Sequence, residues 1–262
     1  MLAFAERKSA ERCDDPTYPT RRPALHEVNR VGPHCETCAL QRLCLPLGFE
    51  PDVMHTFDEM VGRRVKLHKG DTLFRPGEKF ASLYAIRIGS CKTVLLAEDG
   101  RDQVSGFHMA GDIIGTDGIG TDVHDCQAVA LEDMEVCAIP FSRIEDLARD
   151  NTRVLQNMHR MLAREISRER YVMLMLGTMR ADQRLAAFLL DLATRYHARG
   201  YSATEFVLRM TRDEIGSYLG LKLETVSRLL SRMHRDGLIQ VQGRVIKLLD
   251  THQLKVLVGS NP

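Results

Sequence analysis

Between Val61 and Pro140, apolar and polar positions alternate in short runs such as LYAIRIGSCKTVLLAE and QAVALEDMEVCAIP. The runs are broken at Lys69-Gly70-Asp71, Asp99-Gly100-Arg101 and Gly111-Asp112. A period of two bounded by Gly and Asp turns predicts short antiparallel strands, and their even spacing predicts a small barrel or jelly roll. From Asn151 to Arg180 the pattern changes. This stretch has no Pro and one Gly, and Leu155, Met158, Leu162, Val172, Leu176 and Met179 recur at steps of three and four, which predicts one long amphipathic helix. Read as a heptad seam for a partner helix, the stripe runs through Leu155, Met158, Leu162, Ile166, Glu169, Val172 and Leu176. Glu165 and Glu169 then fall where a coiled coil expects apolar knobs. A helix that merely covers the sheet domain would carry a similar pattern. A further helix is expected from Ala181 to about Ala198, stopped at Arg199-Gly200.

The segment TRDEIGSYLGLKLETVSRLLSRMHRDGLIQVQGRVIKLL continues the helical pattern with punctuation. Thr211 caps a short helix with Asp213 and Glu214 in its first turn, at the positive end of the helix dipole. Gly220 supplies a tight turn. A second helix, about Leu223 to Arg235, packs inward through Val226, Leu229, Leu230 and Met233 and carries Glu224, Ser227, Arg228 and Arg232 outward. Arg pairs bidentately with guanine O6 and N7, Glu accepts from cytosine N4, and Ser reaches base or phosphate, so the outward stripe has the chemistry of DNA recognition. After Gly237, LIQVQ and RVIKLL flank Gln242-Gly243 and predict a two-stranded wing that brings Arg244 and Lys247 to backbone phosphates. Thr211, Arg212 and Leu223 complete the DNA-facing set. An amphipathic helix pair with solvated charges is the bland alternative; the cap, the turn glycine, the inner apolar set and the wing agree on a winged helix-turn-helix.

Composition narrows this picture. With 262 residues, 44% hydrophobic, the chain can bury a substantial core and divide into two modest domains. Net charge is only +1, so a nucleic-acid partner requires local positive charge. Six basic residues against two acidic ones between Lys222 and Lys247 supply it. Residues 1–30, with Pro16, Pro19, Pro23 and many charges, have the composition of a flexible arm. No apolar run reaches the length of a membrane helix and the start is too polar for a secretory signal, so a cytoplasmic location is expected. No Gly-rich phosphate loop, HExxH or GxSxG turn is present, which argues against an enzyme.

The seven cysteines, an odd number unevenly spaced, point to metal ligation plus spare thiols rather than disulfides. Cys35, Cys38 and Cys44 form a three-thiol claw ending in Cys44-Leu45-Pro46, and a fourth ligand must come from elsewhere. Cys137, in the last strand ahead of the long helix, is the best placed candidate because it would couple metal to that helix. Zinc and iron-sulfur clusters both accept four thiolates, and spacing leaves the choice open. Cys13 lies in the arm. Cys91 and Cys126 sit in strand-like runs where free cysteine acts as a small buried hydrophobe, so these three are read as unligated.

The motifs CETCALQRLCLP, LYAIRIG, GFHMAGDIIG, Cys137-Ala138-Ile139-Pro140, QRLAAFLLDLATR and TRDEIGSYLGLKLETVSRLL resemble the oxygen-sensing regulators of fumarate and nitrate reduction (FNR), within the cyclic AMP receptor protein superfamily. The likeness runs from about His34 through most of the chain. It implies that Cys35, Cys38, Cys44 and Cys137 hold an oxygen-labile 4Fe-4S cluster, with 2Fe-2S as the oxygen-exposed form. It also implies a homodimer through the long helix, bound to double-stranded DNA at a TTGAT-type palindrome read by Glu224, Ser227 and Arg228. Leu223 departs from the Val usual in relatives. The turn Glu98-Asp99-Gly100-Arg101 corresponds to a loop that contacts RNA polymerase, through Gly100 and Arg101 here, although as sequence it is equally a solvated hairpin tip. Relatives that sense cyclic AMP use a Glu and an Arg near positions Thr116 and Cys126. Neither is retained, so no cyclic nucleotide is expected.

The expected fold is α+β. It comprises an arm (1–30), a cluster-binding segment with a cyclic-nucleotide-binding-like barrel (31–150), a dimerisation helix (151–180) and a winged helix-turn-helix (181–262).

Overall fold

The computed structural model describes residues 26–28, 34–61, 63–97 and 100–259. The alternating region folds into β2 (Arg63–Leu67), β3 (Thr72–Phe74), β4 (Ser82–Ile88), β5 (Ser90–Leu96), β6 (Asp102–Met109), β7 (Ile113–Ile114), β8 (Cys126–Ala130) and β9 (Met134–Pro140). With β1 (His26–Val28), these strands form two antiparallel sheets, ordered β1-β2-β9-β4-β7 and β3-β8-β5-β6. Because the strands separate into two sheets, the sensor fold is a jelly roll and not a closed barrel. Its interior is filled by Leu67, Phe74, Ile86, Ala128 and Val136 from the facing sheets. Gly89 makes the corner between β4 and β5. Its φ is +84°, and a Cβ there would lie 2.7 Å from the Asp133 carbonyl oxygen, so both conformation and space demand glycine.

Strand β1 falls inside the segment expected to be a flexible arm. It adds an edge to β2, with His26 opposite Lys66 and Val28 opposite Arg64. Three residues are too few to display a period of two, and the pairing is supplied by a strand far along the chain. The remainder of the arm, including Cys13, lies outside the described residues.

Helix α1 (Pro51–Met60) precedes β2, and α2 (Phe141–Asp150) follows β9. Cys137 therefore does not lead directly into the long helix: α2 intervenes. The long helix α3 (Thr152–Thr178) begins at Asn151, whose side-chain oxygen accepts from the Arg153 and Val154 N–H groups at 3.0 and 3.2 Å. After it come α4 (Ala181–His197), α5 (Arg212–Leu219) and α6 (Leu223–Arg235), then α7 (Thr251–Gly259) beyond the wing. The wing strands β11 (Ile239–Gln242) and β12 (Val245–Leu248) gain a third neighbour in β10 (Glu205–Val207), in the order β10-β12-β11.

The two ends of the molecule are bolted together. Asp112, between β6 and β7, pairs with Arg195 of α4 and with Arg199 in the turn just beyond it, at 2.6 Å each. Lys92 of β5 pairs with Glu214 of α5 at 2.8 Å, and the Val104 N–H donates to Ser217 Oγ at 2.8 Å.

Candidate metal centre and DNA-binding face

The three-cysteine segment lies across the end of the roll as a series of tight turns. Cys35–Thr37 is a short 3₁₀ turn, and the Cys44 N–H donates to the Leu40 carbonyl at 3.0 Å. Asp58, buried on α1, accepts from the Cys35 N–H at 2.8 Å and pairs with the His34 ring, so one carboxylate anchors the start of the segment. Cys137 stands on β9, opposite Arg64 on β2 and Ala85 on β4. The fold thus brings together all four cysteines expected to act as ligands. They line one cavity with Leu40, Pro46, Phe57, Val61 and Ile139; the charged member of its wall is Arg87, tied to Glu135 at 2.6 Å.

Away from this cavity, ligand-type atoms of Asp117, Asp125 and Cys126 lie within 4.8 Å of one another. Burial, reinforced by the carboxylate of Asp58, pushes the Cys35 thiol well above its ordinary value, and burial pushes Cys44 up to about 12. Cys137 is raised by burial against the opposing pull of Arg64 and Arg87. Without a cation, Cys35, Cys44 and Cys137 are therefore neutral thiols in an apolar wall. Cys91 and Cys126 are buried strand residues, as their sequence context suggested.

The C-terminal motif has the expected anatomy. Thr211 Oγ1 accepts from the Glu214 N–H at 3.2 Å while Glu214 reaches back to the Thr211 N–H at 2.6 Å, a reciprocal cap. Gly220 adopts φ +63° at the turn, and Val226, Leu230 and Met233 are buried. Glu224 and Arg228 are exposed, Leu223 is 42% exposed, and Ser227, half-buried, accepts from Arg212 Nη1 at 3.2 Å. Arg244 is exposed beside Gly243, whereas Lys247 lies 3.9 Å from Glu205. Gly216 was overlooked in the sequence. A Cβ there would lie 2.5 Å from the Leu221 carbonyl oxygen, so glycine lets the two helices close, and a glycine inside a short helix was the signal.

The long helix departs from the expected seam. Met158 is buried at 8% exposure with Val154 in the core that also contains Leu45 and touches Cys44 and Cys137. Val172 packs on the C-terminal core, and Leu176 faces Gly220, where a Cβ would stand 3.4 Å from its Cδ2. These three serve packing within the chain, because an apolar stripe read from sequence does not say which side meets the protein's own roll. The outward stripe is Leu155, Leu162, Ile166, Glu169 and Met173, at 40%, half-buried, 47%, exposed and 70% respectively. Thr116 and Cys126 border a groove between the roll and Leu162, Glu165 and Glu169. Gly100 and Arg101 are exposed on the β5–β6 hairpin; Glu98 and Asp99 lie outside the described residues. Among the described residues, no helix is long and apolar enough to cross a membrane.

The architecture has close counterparts. The profile of the cyclic nucleotide-binding domain matches residues 64–151, and that of the Crp-like helix-turn-helix domain matches residues 183–257. The transcriptional regulatory protein btr of Bordetella pertussis is 46% identical over 226 residues, 86% of this chain and 93% of that protein. The transcriptional activator protein Anr of Pseudomonas protegens is 42% identical over 87% of this chain and 93% of its own length. The fumarate and nitrate reduction regulatory protein of Salmonella typhimurium is 40% identical over 86% and 90%. FixK2 from Bradyrhizobium japonicum superimposes with a TM-score of 0.70 at 32% identity, covering 76% of this chain and 98% of FixK2. Identity at this level, extending through both the roll and the recognition helix and shared with regulators rather than enzymes, shows that the chain belongs to the CRP/FNR family of DNA-binding transcription regulators.

Proposed function

We propose that Cys35, Cys38, Cys44 and Cys137 hold a 4Fe-4S cluster, and that the chain is an oxygen-responsive regulator. With the cluster in place it pairs with a second copy and binds a TTGAT-type palindrome to control genes of anaerobic metabolism. The observation that carries this reading is that four cysteines from two distant segments line one largely apolar cavity. Four thiolates would suit either zinc or a 4Fe-4S cluster, and the likeness to a fumarate and nitrate reduction regulatory protein favours the cluster. When bound, the cluster supplies a group that reacts with dioxygen.

The protein's own contribution is to deliver the ligands from two distant segments and to exclude water with Phe57, Val61 and Ile139. The outward stripe of α3, Leu155 to Met173, is the face for the second copy. There, Glu169 opposes its own symmetry mate and keeps the cluster-free chain from pairing. Two recognition helices then engage two half-sites, giving affinity that one cannot. Glu224, Ser227 and Arg228 read bases beside Leu223. Arg212 positions Ser227, Thr211 holds the helix cap, and Arg244 meets phosphate. Gly100 and Arg101 are assigned to RNA polymerase contact, the location to the cytoplasm, and cyclic nucleotide is excluded from the effectors because Thr116 and Cys126 replace its ionic partners.

Purification without air followed by a visible spectrum tests the reading. The expected preparation is brown, contains iron and acid-labile sulfide, and bleaches in air. Alanine at Cys35, Cys38, Cys44 or Cys137 abolishes the colour and the anaerobic gain in DNA binding, whereas alanine at Cys13, Cys91 or Cys126 preserves both. A colourless, iron-free preparation that still bound the palindrome would overturn it.

A further inference from the structure

Asn157 is a buried amide, 6% exposed, on the side of α3 turned toward the roll. Its Nδ2 donates to the Leu45 carbonyl at 2.9 Å and to the Leu47 carbonyl at 2.7 Å, so one side chain grips both sides of Pro46. Arg160 Nη1 donates to Asn157 Oδ1 at 3.2 Å, which fixes the amide orientation and leaves both N–H groups for the loop. The gripped residues follow Cys44 directly, and the pyrrolidine ring of Pro46 removes one backbone freedom from the connection.

We propose that Asn157 is the positioning residue that couples ligation at Cys44 to the placement of α3, and through it to pairing of two copies. The proposal rests on the cluster reading above. At about 100° of rotation per residue, Asn157 lies nearly opposite Leu155 on the helix. A loop fixed by ligation at Cys44 therefore holds the inner face of α3 and sets the direction of its outer, partner-facing stripe. Val154 and Met158 beside it share a buried core with Leu45, and the two hydrogen bonds add a directional tether that fixes how the loop sits on the helix. In the cluster-free chain, the Cys44 sulfur holds no iron, and the loop is tied by its own turn at Leu40 and by Asn157.

The test compares the dimer dissociation constant of cluster-loaded and air-treated protein by analytical ultracentrifugation, with visible absorbance reporting cluster content. Asn157→Leu keeps the volume and removes both donors. With both tethers gone, the ratio between the two constants is expected to fall by roughly tenfold or more. Cluster absorbance per chain and the constant of the air-treated protein stay unchanged, and Asn157→Gln recovers part of the ratio. An unchanged ratio in a brown Asn157→Leu protein overturns the coupling while leaving the cluster reading intact; a colourless parent overturns both. Hydrogen exchange on the unsubstituted chain gives a check that needs no variant. Loading should protect amides at 40–47 and at 155–162 together, and protection confined to the loop overturns the proposal.

Discussion

Replacing Asp112 by Asn tests how the roll is joined to the DNA-binding helices. The carboxylate receives Arg195 Nη2 and Arg199 Nη2 at 2.6 Å each. The same two arginines donate to the Phe107 and Ala110 carbonyls at 2.9 and 2.5 Å. Burial pushes the Asp112 carboxyl up, but Arg195 and Arg199, with Arg168 behind them, outweigh it and hold it at about 2 against an ordinary 3.8. That difference corresponds to about 2.5 kcal/mol in favour of the ionised, folded state. Asn removes the charge while leaving two guanidiniums with side chains only 15% and 6% exposed, the arrangement in which a broken buried pair costs about 3 to 5 kcal/mol. The two lines of reasoning bracket an expected loss of about 2.5 to 5 kcal/mol. Urea unfolding of the air-treated protein at neutral pH, followed by circular dichroism, measures it. The roll and the C-terminal helices should also begin to unfold in separate steps, because the lost bonds span them. The sign with pH follows from the lowered carboxyl. The parent's advantage over Asp112→Asn is complete above about 4 and is lost as the pH falls through about 2. A variant within 1 kcal/mol of the parent, or an advantage that does not shrink in acid, would refute the reasoning.

Three further outcomes are expected. Glu169→Ala removes a like-charge pair at the proposed seam. For carboxylates about 6 Å apart in an effective dielectric between water and a protein surface, this strengthens pairing of the air-treated chain by about 1 to 3 kcal/mol. Sedimentation should show the gap between parent and variant narrowing in high salt, and equal constants for the two at low salt would contradict it. Arg228→Ala should cost about 1 to 3 kcal/mol at the cognate palindrome and relax base choice, whereas Arg244→Ala should weaken all duplexes alike. Binding titrations on matched and scrambled DNA distinguish the two. Met173→Glu, at the most exposed apolar position of the outward stripe, should reduce anaerobic dimer formation without changing cluster absorbance, since it adds a charge only where the second copy would sit.

The sequence by itself determined the output motif almost residue for residue. The cap at Thr211, the turn at Gly220 and the span Leu223–Arg235 are local features, because capping, positive φ and a 3.6-residue period are properties of neighbouring residues. The alternation of the roll, the extent of α3 and the claw of Cys35, Cys38 and Cys44 were legible for the same reason. What tertiary structure decided is everything that depends on distant partners. It split the strands into two sheets and drew β1 from the arm onto β2. It turned Met158, Val172 and Leu176 inward and left Met173 outside. It also placed Cys137 across the cavity from the claw, and it set Asn157 beneath the Leu45 and Leu47 carbonyls. A helix stripe records only that a side is apolar. Which side meets its own roll, and which is left for a second copy, is fixed when residues a hundred positions apart compete for the same surface.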